Sequence, residues 1–80
     1  MKTLELYSRA GCHLCDDLAA ELAPVIRGRA RLTIVDIDED AELVRRYGLR
    51  IPVLVGEGRE LSTFPLDVTA VEAYLKGSDG

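Results

Sequence analysis

Cysteine is scarce in this chain of 80 residues: there are two, and both lie in one short stretch, YSRAGCHLCDD, from Tyr7 to Asp17. Histidine occurs once, as His13, between them. Apolar runs are short. Even Ile51 to Val55 is far below the roughly 20 residues a membrane-spanning helix needs, and Met1-Lys2 leads into Thr3 and Glu5 rather than into the apolar core of a secretory leader. There is no lysine-rich arm, and ten basic residues against fourteen acidic ones leave a net charge of -4. These absences argue against a membrane protein and against unspecific attraction to nucleic acid or anionic lipid. The expectation is a cytoplasmic monomer that engages neither.

What is present is the composition of a small globular protein, 48% hydrophobic and 30% charged. A chain this short fills one core, hence one domain. No repeat, low-complexity segment or internal linker divides it. Only Gly77-Ser78-Asp79-Gly80 reads as a loose tail, so the domain is expected over residues 1–76.

Thr3 to Tyr7 alternates as a strand does, with Leu4 and Leu6 on one face, and Gly11 breaks it. From about His13 a helix is expected, its apolar stripe made of Leu14, Leu18, Leu22 and Ile26, decaying at Pro24 and Gly28. Arg31 to Ile37 reads as a second strand, and a helical crossover between the two implies parallel pairing. Asp38 or Asp40 caps a short second helix in which Leu43, Val44 and Tyr47 share a face, Arg45 and Arg46 suit its C-terminal dipole, and Gly48 stops it. Pro52 to Val55 and Arg59 to Leu61 form an antiparallel hairpin across Gly56-Glu57-Gly58. The last helix is capped by Asp67 or Thr69, with Glu72 at capping-box spacing from Thr69, and buries Val68, Val71 and Leu75. The expected order is βαβαββα, an α/β fold with a four-stranded mixed sheet flanked by helices.

Both cysteines therefore sit at the start of the first helix. Residues i and i+3 lie on one side of a helix with Cβ atoms roughly 5 to 6 Å apart, where a disulfide closes with little rearrangement. A cysteine at the cap presents its sulfur to the unpaired N–H groups of the first turn, which favour the thiolate. Arg9, and His13 when protonated, push the same way; Asp16 and Asp17 oppose them. Cys15, one turn inside, is expected to be the more shielded sulfur. That asymmetry suits an attacking thiol at Cys12 and a resolving thiol at Cys15. A closed zinc site would need a fourth ligand that the chain does not supply beyond Cys12, Cys15 and His13. Monovalent copper needs fewer ligands, and small copper carriers also place two cysteines before their first helix.

YSRAGCHLC after the first strand, IVDID ending the second, YGLRIPVLV at the third and an acidic residue before the last helix together resemble the glutaredoxin-like branch of the thioredoxin superfamily. The likeness is closest to small bacterial glutaredoxin-like proteins with a Cys-His-Leu-Cys motif, and it covers nearly the whole chain. It implies a minimal thioredoxin fold with a cis bond at Pro52, whose loop lies against the cysteines and leaves the Ile51 backbone free to pair with an extended thiol substrate. Asp67 matches the acidic position that holds a substrate amino group in that family, and equally a plain helix cap. Glutaredoxins that bind glutathione carry Gly-Gly and paired aspartates after the fourth strand. Here Leu61 to Asp67 reads LSTFPLD, so glutathione stands as a co-substrate to be tested.

Asp36, Asp38 and Asp40 begin like a calcium loop, but Ala41 and Tyr47 stand where its glycine and glutamate belong. No phosphate-binding loop or serine triad is present. Arg45, Arg46 and Arg50 form a small basic patch able to steer an anionic substrate. The function expected is thiol–disulfide oxidoreduction by Cys12 and Cys15, with no bound cofactor. Arg9, His13, Ile51, Pro52 and Asp67 contact the substrate, a protein or small-molecule thiol or disulfide. The alternative is a carrier of a metal ion or iron–sulfur cluster that uses the same cysteines, with two copies pooling their sulfur ligands.

Overall fold

The structure, a computed structural model, describes residues 2–77. The order is β1 (Lys2–Ser8), α1 (His13–Ile26), β2 (Ala30–Asp36), a 3-10 turn (Ile37–Glu39), α2 (Ala41–Tyr47), β3 (Val53–Gly56), β4 (Arg59–Ser62) and α3 (Val68–Gly77). The sheet runs β2-β1-β3-β4, with β1 parallel to β2 and the other pairs antiparallel. This is the expected βαβαββα arrangement. Gly77 belongs to α3, and the rest of the expected tail, residues 78–80, lies outside the described residues. Among the described residues no helix is long and apolar enough to cross a membrane.

Each sheet face has its own core. Leu4, Leu6 and Leu54 pack against Leu18, Leu22 and Ile26 of α1 and Val71 and Tyr74 of α3. On the opposite face Val53 and Val55 pack with Ile37 and Tyr47, and Tyr7 covers them. Covered from both sides, β3 is buried at every position, which is why its sequence is a continuous apolar run instead of an alternation. Burying one such aliphatic side chain is worth about 1.5–3 kcal/mol, so these two layers dominate over the exposed ion pairs.

Two expected core residues are not in the core. Leu14 is 48% exposed, and Cys15 takes its place in the stripe at 2%. At 3.6 residues per turn, Leu14 stands about 80° from the line of Leu22, and Cys15 only about 20° from it. A strict four-residue repeat drifts around a helix, and the sheet follows the straight line. Val68, the first residue of α3, is 45% exposed, while Tyr74, not anticipated, is buried at 5% and donates its hydroxyl to the Thr3 carbonyl at 3.0 Å. The cap of α3 is Asp67, whose Oδ1 accepts from the Ala70 amide at 3.0 Å. The Thr69–Glu72 capping box does not form, since the Glu72 carboxylate receives Arg29 at 2.9 and 3.2 Å. Asp40, not Asp38, caps α2.

The β3–β4 turn consists of Glu57 and Gly58, with φ of +50° and +80°, between the paired residues Gly56 and Arg59. Positive φ at both positions matches the twist of the flanking strands, yet it is unfavourable for a side chain such as glutamate. Replacing Glu57 with asparagine, which tolerates positive φ, should raise the melting temperature. Gly56 is constrained differently. A Cβ there would lie 2.7 Å from Tyr74 Cζ and 2.8 Å from Cε1, and the buried, hydrogen-bonded ring has no room to move. Denaturant melts of Gly56→Ala should show a loss of about 1–3 kcal/mol, the usual cost of overpacking.

Candidate functional site

Parallel pairing sets Ser8 beside Asp36, and antiparallel pairing sets Tyr7 beside Val53 and Leu54 beside Ser62. The loop after β1, the turn after β2, the segment before β3 and the loop after β4 therefore emerge at one end of the sheet. These carry the residues expected to form the site: Arg9 and Cys12 from the first, with His13 and Cys15 in the opening turn of α1 that follows it, Ile51 and Pro52 from the third, Asp67 from the fourth. Two surface cavities, about 300 and 410 Å³, lie around Tyr74 and Glu57, and neither includes a residue of the cysteine loop.

Cys12 is the N-cap of α1. Its backbone is extended (φ -86°, ψ 102°), and its Sγ accepts from the Cys15 amide at 3.1 Å, taking up one of the donors a helix start leaves unpaired. Cys12 is partly exposed and Cys15 is 2% exposed beneath it. Their Cα atoms are 5.3 Å apart and the sulfurs are joined in a disulfide. The loop that delivers Cys12 turns at Gly11, where φ is +82°, and the Cys12 amide donates to the Arg9 carbonyl at 3.3 Å.

The Arg9 side chain is engaged by a carboxylate. Its Nη2 and Nε donate to Asp38 Oδ1 and Oδ2 at 2.6 and 3.2 Å. This pairing raises the Arg9 pKa and lowers that of Asp38. A guanidinium held in a bidentate carboxylate pair presents little net charge elsewhere. The three aspartates of the would-be calcium loop are all engaged: Asp36 accepts from the Asp38 amide, Asp38 holds Arg9 and Asp40 accepts from the Glu42 amide. Among the described residues no group of three or more histidine, cysteine or acidic side chains is gathered as a metal site.

Pro52 is fully buried, and the Ile51–Pro52 peptide bond is cis, as is Phe64–Pro65. The Ile51 backbone is less free than expected, because its amide donates to the Tyr47 carbonyl at 3.1 Å. Only its carbonyl is left to pair with a strand-like partner. His13 is exposed in the first turn of α1. Asp67 is exposed, with one carboxylate oxygen on the Ala70 amide and its own amide on Ser62 Oγ at 2.8 Å. Of the arginines near α2, Arg45 pairs with Glu42 and Arg50 with Glu60, which depresses the Glu60 pKa. Arg46 lies over the Tyr47 ring, 5.4 Å from its centroid.

The sequence matches the family described as Glutaredoxin-like domain (DUF836) over residues 3–76. The chain belongs to this glutaredoxin-like family. It is similar to a structural-genomics target protein, XcR50, from X. campestris, at 43% identity over 94% of this chain and 97% of that one, with a TM-score of 0.69 in its X-ray structure. The solution structure of the same protein gives 0.70, again at 43% identity, over 98% and 96% of the two chains. Thioredoxin 1 from the thermophilic eubacterium Thermosipho africanus shares the fold at a TM-score of 0.62 and 14% identity, over 98% of this chain and 99% of that one. No curated protein matches the chain.

Two features of this glutaredoxin-like site escaped the sequence reading. Tyr7 stacks on Tyr47 with centroids 4.4 Å apart, bracing the end of β1 against the turn that leads to Pro52. The outward-facing alternation of Tyr7 in β1 was the available signal. Burial of the Tyr7 ring raises its hydroxyl pKa. Ser62 is buried at 8%, donates to the Thr63 carbonyl and accepts from Asp67, closing the loop that starts α3. Nothing in the spacing of Ser62 announces that role. The difference in exposure between the two cysteines has a direct readout. In the reduced, folded protein iodoacetamide should alkylate Cys12 well before Cys15, as followed by peptide mass mapping, and the order should vanish in denaturant.

Proposed function

We propose that the protein is a thiol–disulfide oxidoreductase in which Cys12 attacks and Cys15 resolves. The observation that carries this reading is the geometry of the pair: a partly exposed sulfur capping a helix, with a buried second sulfur one turn in, at bonding distance. In the reduced protein the Cys12 thiolate attacks one sulfur of a substrate disulfide, expelling the other as a thiol and leaving a mixed disulfide. The Cys15 thiolate then attacks Cys12 Sγ, releases the second substrate thiol and closes the internal disulfide. Two equivalents of a thiol such as glutathione, or a dithiol protein, restore the starting state.

Nothing in these steps needs a bound cofactor. The substrate is a protein or a small molecule carrying a thiol or disulfide, and it meets the site at the end of the sheet from which both the cysteine loop and the segment of Pro52 emerge. The Ile51 carbonyl offers it a backbone acceptor, while His13 and Asp67 are within the same group of loops. The acidic composition and the absence of a basic arm support a protein that engages neither nucleic acid nor anionic membranes, and the proposed setting is the cytoplasm, with the protein as a monomer. The membership of the glutaredoxin-like family and the shared fold of thioredoxin 1 support thiol chemistry in general.

Equilibration against glutathione buffers, with thiols counted by mass, should give one two-electron transition between roughly -180 and -270 mV, the span of known exchange catalysts. Cys12→Ser should abolish reduction of a mixed disulfide, and Cys15→Ser should accumulate the trapped intermediate. Undiminished activity in Cys12→Ser would overturn the assignment. Failure to form an internal disulfide in any buffer would favour a carrier of metal or cluster, and absorbance of the freshly isolated protein would then test for a chromophore.

A further inference from the structure

Arg9 stands three residues before Cys12, in a loop closed by the hydrogen bond from the Cys12 amide to the Arg9 carbonyl. A cation so placed, on a long rotatable stem, is the natural stabiliser of a Cys12 thiolate. Its guanidinium is instead turned onto Asp38, 29 residues away in sequence, through two hydrogen bonds. Asp38 is itself positioned, since its amide donates to the Asp36 side chain at 2.9 Å within the 3-10 turn. Asp36 adds a second negative charge that favours the charged form of Arg9. On the helix that carries Cys12, the neighbouring ionisable groups are His13, Asp16 and Asp17, all exposed. The Arg9 and Asp38 side chains keep 36% and 50% of their accessible surface, so the pair adds little to stability by itself. Its effect is to decide where the one cation of the cysteine loop is held.

We propose that Asp38 is a positioning residue that holds Arg9 off the redox centre and thereby sets how reducing the Cys12–Cys15 couple is. The proposal deepens the redox reading above and rests on it for its consequence. In the exchange reaction the disulfide form and two glutathione thiols give the dithiol form and one glutathione disulfide. Whatever stabilises the Cys12 thiolate favours the dithiol side and makes the couple more oxidising. With Arg9 neutralised by Asp38 the thiolate lacks that cation, and the couple stays more reducing. Releasing Arg9 adds a full positive charge three residues from the sulfur.

The test is a double-mutant cycle of wild type, Arg9→Gln, Asp38→Asn and the double variant. Two quantities are read in each: the Cys12 thiol pKa, from the pH dependence of iodoacetamide alkylation of the reduced protein, and the equilibrium constant against glutathione. Asp38→Asn alone should lower the thiol pKa and move the equilibrium about fivefold towards the dithiol, about 20 mV for a two-electron couple. In the Arg9→Gln background the same change should move it less than twofold. Equal shifts in both backgrounds overturn the proposal, because Asp38 would then act through its own charge. Absence of any shift, with only the melting temperature altered, also overturns it, because the pair would be a structural clasp. If the wild type forms no internal disulfide in glutathione, the redox reading fails on that result, while the alkylation pKa values still decide the relation of Asp38 to Arg9.

Discussion

Leu6 lies opposite Leu54 and Tyr7 opposite Val53 where β1 pairs antiparallel with β3, and both strands are covered on each face. A shift of this register by one residue would turn Leu4 and Leu6 away from α1 and α3 and expose most of the main core. The register is thus held by the largest favourable term in the fold. It also fixes the distance along the sheet between the end of β1 and the start of β3. The cysteine loop follows the one and Pro52 precedes the other, so the site inherits its alignment from hydrophobic burial several residues away.

Around that frame, short polar interactions tune placement. Cys12 is oriented because its sulfur supplies the capping acceptor that α1 needs, and Cys15 is shielded because it falls on the buried line of the same helix. One helix therefore makes the two sulfurs unequal. The Tyr7–Tyr47 stack braces the end of β1 against α2, and the Tyr47 carbonyl gathers the Arg50 and Ile51 amides just before Pro52. On the other side the Arg9–Asp38 pair ties the cysteine loop to the turn after β2. The exposed Arg9–Asp38 pair contributes little to overall stability, and its weight lies in where it holds charge.

Membership of the glutaredoxin-like family accounts for the fold and for thiol chemistry at the pair. The loop before α3 is closed by Ser62 Oγ, which accepts from the Asp67 amide, while one Asp67 carboxylate oxygen accepts from the Ala70 amide as the cap of α3. A substrate amino group would meet the remaining oxygen. The Ile51 amide is taken by Tyr47, which leaves one backbone group for strand-like pairing where two were expected.

Alternation in β1, the apolar run of β3, the turn glycines and the spacing of Leu18, Leu22 and Ile26 were enough, by the sequence alone, to determine the element order and the two central strands. The same is true of the cysteine pair at a helix start, because capping and i, i+3 proximity are local properties of the chain. Misplacement came where position around a helix or distance through space decided the outcome. Leu14 and Cys15 differ by one residue and by about 100° around the helix axis, and only packing against the sheet selects which is buried. Arg9 is three residues from Cys12 in sequence, yet its charge is paired with Asp38, because the parallel β1–β2 pairing carries that carboxylate to the same end of the sheet. Ile51 lost its amide, and Glu72 its capping role, to partners equally invisible in a local window. Local geometry is written in the order of residues, whereas the partner of a long charged side chain or an unpaired amide is chosen by whichever element folding brings within reach.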